Sequence, residues 1–333
     1  MTTSSRYHPT MPENTRARRI RPCRPFLGGC LAVGLVLLAA SRGAAMQRQG
    51  DGGLTPLGPP SKLGDDELII AEIFRSHLPT TLEKDSLRFS IHPHLGDWEN
   101  KDHMRLTTNL RYGLTDNCEI SLGSDLYFSH GHGYIRAFDD YGAASLKLGA
   151  KFNLGEPLFA GWETGVGLDY EFPTGRPPPE LTDGLRHLRP YVTFSHRLEA
   201  RPAWRIFAGL RFDIVRHTTL PGQFAKNSFD ESSTGITGGF VVDRGYLHYT
   251  LEASFDTTSW LGRNHANIYS LRPGMRWEVP QWRNRQLRSN WVIGFGLNDT
   301  YGPGGNSLGA SFKLRYNSDL KRPGRRAPAI PAP

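Results

Sequence analysis

The sequence predicts an all-β protein, a transmembrane antiparallel up-and-down β-barrel of about twelve strands. Three observations predict it. From residue 87 onward apolar residues recur at every second position, which is the period of a strand and not of a helix. The connections between these segments alternate in length along the chain, mostly short and then mostly long. The first 45 residues have the layout of an export signal.

At the N-terminus, Arg16, Arg18, Arg19, Arg21 and Arg24 precede the uncharged run "FLGGCLAVGLVLLAA", Phe26 to Ala40, and the small residues of "SRGAAMQ" follow. That order of basic, apolar and small residues predicts a secretory signal over 1–45, cut after Ala45. The run is shorter than the ~20 residues a spanning helix needs. Cys30, in "LGGC", offers a lipoprotein alternative that would leave most of the apolar run on the mature chain. Residues 46–86 are expected in the periplasm: a Gly- and Pro-rich linker over 47–64, then a short helix over 65–78 that starts acidic and stops at Pro79. A first strand made of "ELIIAEIF" is the other reading of that stretch.

The barrel is expected over 87–316. Its strands are 87–95, 104–112, 118–128, 142–154, 159–172, 188–198, 204–215, 235–243, 246–255, 267–279, 287–297 and 307–316. "NLRYGLTDNCEISLGSDLYF", residues 109–128, shows the grammar: Leu110, Tyr112, Ile120, Leu122, Leu126 and Phe128 on one face, a tight turn at 113–117, and Asn109, Arg111, Glu119, Ser121, Asp125 and Tyr127 on the other. Connections after even strands are mostly short ("GLTDN", "GEPL", "EARPA", "RG", "PQWRNRQ"), and those after odd strands are mostly longer, the last at 298–306. Outer-membrane barrels show this rim asymmetry, with the short turns periplasmic, and an even strand count returns both ends to that side. Residues 317–333, rich in Pro and positive charge, are expected to be a disordered tail.

Alternation alone does not say which face is outside. A soluble β-sandwich or lipocalin-like barrel turns the apolar face inward, whereas a membrane barrel turns it to lipid. The signal, the strand count and the aromatics near strand ends (Tyr112, Phe128, Tyr170, Phe172, Trp204, Trp277 and Tyr316) favour lipid. No apolar run of the mature chain is long enough for a spanning helix, which a barrel does not need, since its strands cross with ~9–11 residues.

"RYGLTDNCEISLG" (Arg111–Gly123), "DDYGAASLKLGAKFNL" (Asp139–Leu154) and "YEFPTG" (Tyr170–Gly175) resemble, in that order, the bacterial outer-membrane barrels described as transporters of the meta-pathway of phenol degradation. The similarity covers the first half of the barrel. It implies a channel in the Gram-negative outer membrane for small hydrophobic or aromatic molecules, and it transfers no substrate and no site residues. One departure is the end of the chain: "KRPGRRAPAIPAP" follows Tyr316, where outer-membrane proteins usually finish on the aromatic read by the assembly machinery. Ser307, Gly309, Phe312 and Leu314 still resemble that signal.

If the apolar faces meet lipid, their alternates line the lumen. These include the basic residues Arg105, Arg111, Lys147, Lys151, Arg189, Arg197, Arg205, Arg211, Arg272, Arg276, Arg288, Lys313 and Arg315, against the acidic Glu119, Asp125, Glu163, Asp169, Glu171, Asp213, Asp243, Glu252 and Glu278. Cross-strand pairing neutralises most of them. The surplus of thirteen over nine predicts a weak preference for anions in a channel with low-dielectric walls. A sealed structural or adhesive barrel is the alternative.

Other chemistries find less support. Residues 1–45 hold seven of the 40 basic and one of the 32 acidic residues, leaving 33 against 31, so the body is near neutral and offers no nucleic-acid surface. Cys118 is the single cysteine after the signal, so no intramolecular disulfide forms. A lipid hydrolase is the enzymatic alternative, but Ser129-His130 and Ser195-His196 are strand neighbours that point to opposite faces, and no G-x-S-x-G is present. His92 and His94, with His130, His132, Asp139 and Asp140 on the same rim, have a spacing that suits a metal or simple solvation. The reading therefore assigns no catalytic residue, cofactor or metal. Its partners are outer-membrane lipids, the assembly machinery and small solutes.

Overall fold

A computed structural model describes residues 73–94, 97, 102–130, 139–280 and 288–319, without the side chains of 280, 288–290 and 317–319. The proposed signal, the linker and residues 65–72 of the expected helix lie outside the described residues, as does the chain beyond 319.

Twelve strands form one closed antiparallel barrel: β1 (Ser86–Pro93), β2 (His103–Thr115), β3 (Cys118–Ser129), β4 (Tyr141–Gly155), β5 (Trp162–Pro173), β6 (Leu185–Arg197), β7 (Trp204–His217), β8 (Ser233–Arg244), β9 (Leu247–Thr257), β10 (Asn267–Pro280), β11 (Arg288–Gly302) and β12 (Gly305–Asp319). Each pairs with its chain neighbours, and β12 closes on β1 with Ser86 opposite Asp319 and Ile91 opposite Leu314. Closure leaves no sheet edge, so every ladder donor has a neighbouring strand. Within β6 the pairing to β7 lapses between Leu188 and Tyr191, and within β10 the pairing to β11 lapses between Leu271 and Gly274. Pro190 and Pro273 stand in those gaps and have no N–H to give.

The barrel is apolar outside and charged inside. Ile120, Leu122, Leu148, Leu168, Ile236, Met275, Trp277, Phe295 and Leu297 are exposed, while Glu119, Lys151, Arg205, Glu252, Arg272, Arg276, Glu278, Lys313 and Arg315 are buried. In water this arrangement would leave a broad apolar surface unsatisfied, and in a bilayer it is the stable one.

Two expectations change. The strand pattern stops at 297 and resumes at 307 in sequence, yet β11 runs to Gly302 and β12 starts at Gly305, so Pro303 and Gly304 form a tight turn in place of a long loop. Gly and Asn in "YGPGGNS" suit turns, and here they also continue the ladder to the pair Gly302–Gly305. Second, residues 73–78 are not helical, being turn, bridge and bend followed by chain of no regular structure, and Ile73, Phe74 and Leu78 pack on inward residues of the barrel wall. Inward-facing apolar residues of the wall, absent from the outward pattern, draw them in.

Candidate functional site

The site is the lumen, and residues 73–85 divide it. From β1 this inner segment starts at the rim of the β2–β3 turn, where the Asp85 amide donates to the Gly113 carbonyl at 2.9 Å. It then crosses the barrel. The Leu82 amide donates to Glu119 Oε2 (2.9 Å), Lys151 Nζ donates to the Leu78 and Thr80 carbonyls, and Thr193 Oγ1 donates to the His77 carbonyl (2.6 Å). The Arg75 and Ser76 amides donate to the two oxygens of Glu252, at 2.9 and 2.7 Å. Ile73, Phe74 and Leu78 end in an apolar cluster with Phe207 of β7, Val241 of β8 and Val292 of β11. The wall is cut back where the segment presses on it: a Cβ at Gly165 would lie 2.7 Å from Pro79 Cα, and one at Gly296 would lie 2.4 Å from Ile73 Cγ2. Glycine is needed there for room.

On the wall, cross-strand ion pairs bring most of the predicted lumen residues together. Glu119 holds Arg111 and Lys151 (3.2 Å); Lys147 bridges Asp125 (2.9 Å) and Glu171 (3.5 Å); Arg189 bridges Glu171 (2.7 Å) and Asp213 (3.1 Å). Arg211 pairs with Asp256 (3.0 Å), Arg272 with Glu252 (3.1 Å) and Arg205 with Glu163 (3.4 Å), while Arg276 pairs with Glu278 two residues on along its own strand, β10. Arg105 lies apart, at the long-loop rim, where it clasps Asp97 at 2.8 Å. Lys313 and Arg315 are buried on β12, level with Gly294 and Val292 of β11. Arg197 is exposed at the short-turn rim, and the Arg288 side chain is outside the description.

Beside the inner segment a cavity of about 280 Å³ remains, lined among others by Arg75, His77, Arg111, Glu119, Lys147, Lys151, Asp169, Glu171, Arg189, Tyr191 and Arg211. Its ion pairs are lopsided. Arg75, Lys147, Arg189 and Arg211 keep 26–29% of their side-chain surface accessible, while Asp256, Asp125, Glu171 and Asp213 keep 4–18%. In the pairs of these four cations the anionic half is covered and the cationic half faces the cavity. The Lys151–Glu119 pair is evenly covered, at 5% and 6%, Asp169 at 33% is an exposed carboxylate in the cavity and stands 3.6 Å from His77, and Glu163 is the more exposed partner of its pair. Inward cations with covered counter-charges give a field that attracts anions even where the sum of charges is small.

Sequence reading missed Arg75, His77 and Asp256. The first two belong to the segment expected outside the barrel. Asp256 falls one residue past the expected end of its strand, although it continues the inward series of His248, Thr250, Glu252 and Ser254. Tyr191 also faces in, stacked on His77 with centroids 4.4 Å apart.

At the long-loop rim the 3-10 turn Pro179–Leu181 tucks Leu181 against Tyr127 and Ala144. A bulge in the β3–β4 pairing at Asp125 and Leu126 is what turns Ala144 inward. The Gln223 amide donates to the Pro179 and Thr182 carbonyls, both at 2.9 Å, tying loop 218–232 to loop 174–184. The Ser195 and His196 side chains diverge: Ser195 is buried beside Arg205, and His196 stacks on Trp162. His92 and His94 lie with rings 4.8 Å apart, and His94 Nε2 bonds Thr107 Oγ1 at 2.9 Å. Among the described residues no group of three or more His, Cys, Asp or Glu is set to hold a metal ion.

No protein-family profile matches the chain, and no curated protein sequence matches it. Among solved structures it is similar to the KdgM porin, at 9% identity and TM-score 0.41 over 69% of this chain and 98% of that one. It is similar to an outer membrane channel from Pseudomonas putida F1, at 13% identity and TM-score 0.47 over 72% of this chain and 96% of that one. A third is the CymD monoaromatic hydrocarbon channel, at 8% identity and TM-score 0.36 over 72% and 89%.

Proposed function

We propose that the chain is an outer-membrane channel for passive passage of small solutes, with a preference for anions. The observation that carries this reading is the lopsided exposure of the lumen ion pairs, which presents guanidinium and ammonium groups to the cavity and hides their carboxylates. The lumen-lining role assigned to Arg105, Arg111, Glu119, Asp125, Lys147, Lys151, Glu163, Asp169, Arg189, Arg211, Glu252, Arg272, Arg276, Lys313 and Arg315 belongs to this proposal, as do export by residues 1–45, insertion by the assembly machinery and contact with outer-membrane lipids. The phenol-degradation type of transporter, with hydrophobic or aromatic cargo, rests on the sequence resemblance alone.

One observation favours a second reading, a sealed structural barrel: residues 73–85 fill much of the lumen cross-section with well-bonded chain. Planar-bilayer recording decides between them. Under a potassium chloride gradient the reversal potential is expected on the chloride side. A cation-selective potential overturns the charge preference, and absence of current from a correctly folded barrel overturns the channel in favour of the sealed barrel.

A further inference from the structure

We propose that Arg186 and Arg216, on the outer face of the barrel at its long-loop end, form a binding site for a phosphate group of the outer-leaflet glycolipid, an inference that rests on the outer-membrane reading and goes beyond passage through the lumen. The two residues are direct partners across the β6–β7 ladder. His187 and Asp213 meet inside the lumen, so alternation turns Arg186, beside the first, and Arg216, three past the second, to the outside, and both are exposed. Among the described residues they are the only basic residues in the outward series of the strands at this end of the barrel. Leu188 and Ile214, the next outward pair, are exposed and continue the apolar row of Leu148 and Tyr170 across β4 and β5. A step of two residues, ~7 Å along the strand, lifts the arginines off that row. They stand where acyl chains give way to headgroups.

Like charges directly opposite on neighbouring strands repel. On the inner face Arg189 meets this with Glu171 and Asp213, whereas neither Arg186 nor Arg216 is joined to a carboxylate among the described residues. Beside a low-dielectric acyl layer their repulsion is stronger than in open water, and a counter-ion gains most there. Phosphate supplies it. Guanidinium forks grip phosphate oxygens bidentately, and residues opposed across a ladder, with Cβ atoms ~4.5–5.5 Å apart, bring two forks onto one group. The glycolipid of the outer leaflet carries phosphate on its sugar headgroup directly above the acyl chains, which is the level of this pair.

The platform is fixed in advance. Thr218 Oγ1 donates to the Gly184 carbonyl at 2.6 Å and the Val215 amide donates to Ser232 Oγ at 3.0 Å, tying the strand ends that carry the arginines to each other and to loop 218–232. That loop packs closely on the start of β6, since a Cβ at Gly222 would lie 2.1 Å from the Asp183 carbonyl carbon. A site held ready loses less on binding.

The test is titration of the folded full-length barrel in detergent with bisphosphorylated lipid A, read by native mass spectrometry, with heat-modified gel mobility as the check of folding. Dephosphorylated lipid A and inorganic phosphate are the control ligands, and Arg244→Gln, which removes an exposed arginine at the short-turn end, is the control variant. Lipid A should bind about tenfold or more tightly than its dephosphorylated form, and Arg186→Gln with Arg216→Gln should abolish that margin while Arg244→Gln keeps it. Arg186→Lys with Arg216→Lys, which keeps the charges but loses the forks, should weaken binding severalfold. Lipid A should raise the temperature of the mobility shift in the parent and not in the double Gln variant. Without lipid, Arg216→Gln alone should be no less stable than the parent, because it removes only a repulsion. Equal affinity for the two forms of lipid A, binding unchanged in the double Gln variant, equal loss in Arg244→Gln, or displacement of lipid A by inorganic phosphate at equal concentration would overturn the site. Site and channel fail separately, since current through a planar bilayer depends on the lumen and lipid A binding on the outer face.

Discussion

Replacing Ile73 and Phe74 together by alanine should release the front of the inner segment and raise single-channel conductance at least twofold. Over residues 73–78, burial of Ile73, Phe74 and Leu78 contributes ~1.5–3 kcal/mol per side chain. The two amide bonds to the Glu252 carboxylate add ~1.5–3 kcal/mol each. Ordering six residues of backbone costs ~1–2 kcal/mol each. The bonds from Thr193 to the His77 carbonyl and from Lys151 to the Leu78 carbonyl add about 3 kcal/mol, so the opposing totals, near 14 and near 9 kcal/mol at mid-range, leave a net hold of roughly 5 kcal/mol. Truncating both side chains removes about 3–6 kcal/mol, about the size of the net, so the segment should leave its track for a large share of the time. The wall keeps every residue, so the barrel itself should remain folded. Release can be read independently: Ser76, buried in the lumen, placed as Ser76→Cys in a Cys118→Ser background should be inert in the parent and reactive toward a small thiol reagent in the variant. A reactive cysteine with unchanged conductance would refute the idea that this segment limits the pore. An inert cysteine would refute the balance worked out above.

Glu278→Ala removes the buried carboxylate that pairs with Arg276 and lies 3.4 Å from His248 Nε2, and should cost ~3–5 kcal/mol of stability by breaking a buried ion pair; a denaturation midpoint read by gel mobility that moves by less than ~1 kcal/mol contradicts it. Cysteines placed at Glu180 and Ala225 should be labelled from outside intact cells and one at Gly155 should not, because the first two lie in long loops and the third at a short turn; the opposite pattern means that the barrel is inverted. Glu231, in loop 218–232, accepts from the Arg263 amide and the Asn264 amide (2.9 Å), and these donors hold its carboxyl below the usual carboxylate range. A carboxyl so depressed stabilises the contact above its ordinary range and loses it as pH falls through the folded value, so the protection of amide hydrogens in loops 218–232 and 258–266, corrected for the intrinsic slowing of exchange in acid, should fall only below the ordinary carboxylate range, and Glu231→Gln should remove that pH dependence.

All twelve strands were readable from sequence because lipid on one side and polar lumen on the other impose a period of two on every strand. The ends were less so. Asp256 looked like loop because the apolar series stops at Phe255, yet the ladder there is held by backbone bonds that no side chain announces. The turn at Pro303 and Gly304 was hidden for the same reason. Within the site, residues such as Arg111, Lys147 and Arg189 could be placed on the inner face by alternation, but their pairing could not be read. Which carboxylate meets which cation depends on register between strands, and the sequence carries no direct record of register.

By itself, then, the sequence determined the strand number, their order and the two faces of each, since these follow from local alternation and turn composition. That the apolar face is the outer one, which the signal, the strand count and the strand-end aromatics favoured and alternation left open, was decided by the tertiary structure, because closure of β12 on β1 is what separates an inside from an outside. It also decided where residues 73–85 go. Ile73, Phe74 and Leu78 carry no strand or helix signal that points to a lumen. They enter it because Phe207, Val241 and Val292, scattered over three strands, converge into an apolar patch only once the sheet has curled shut.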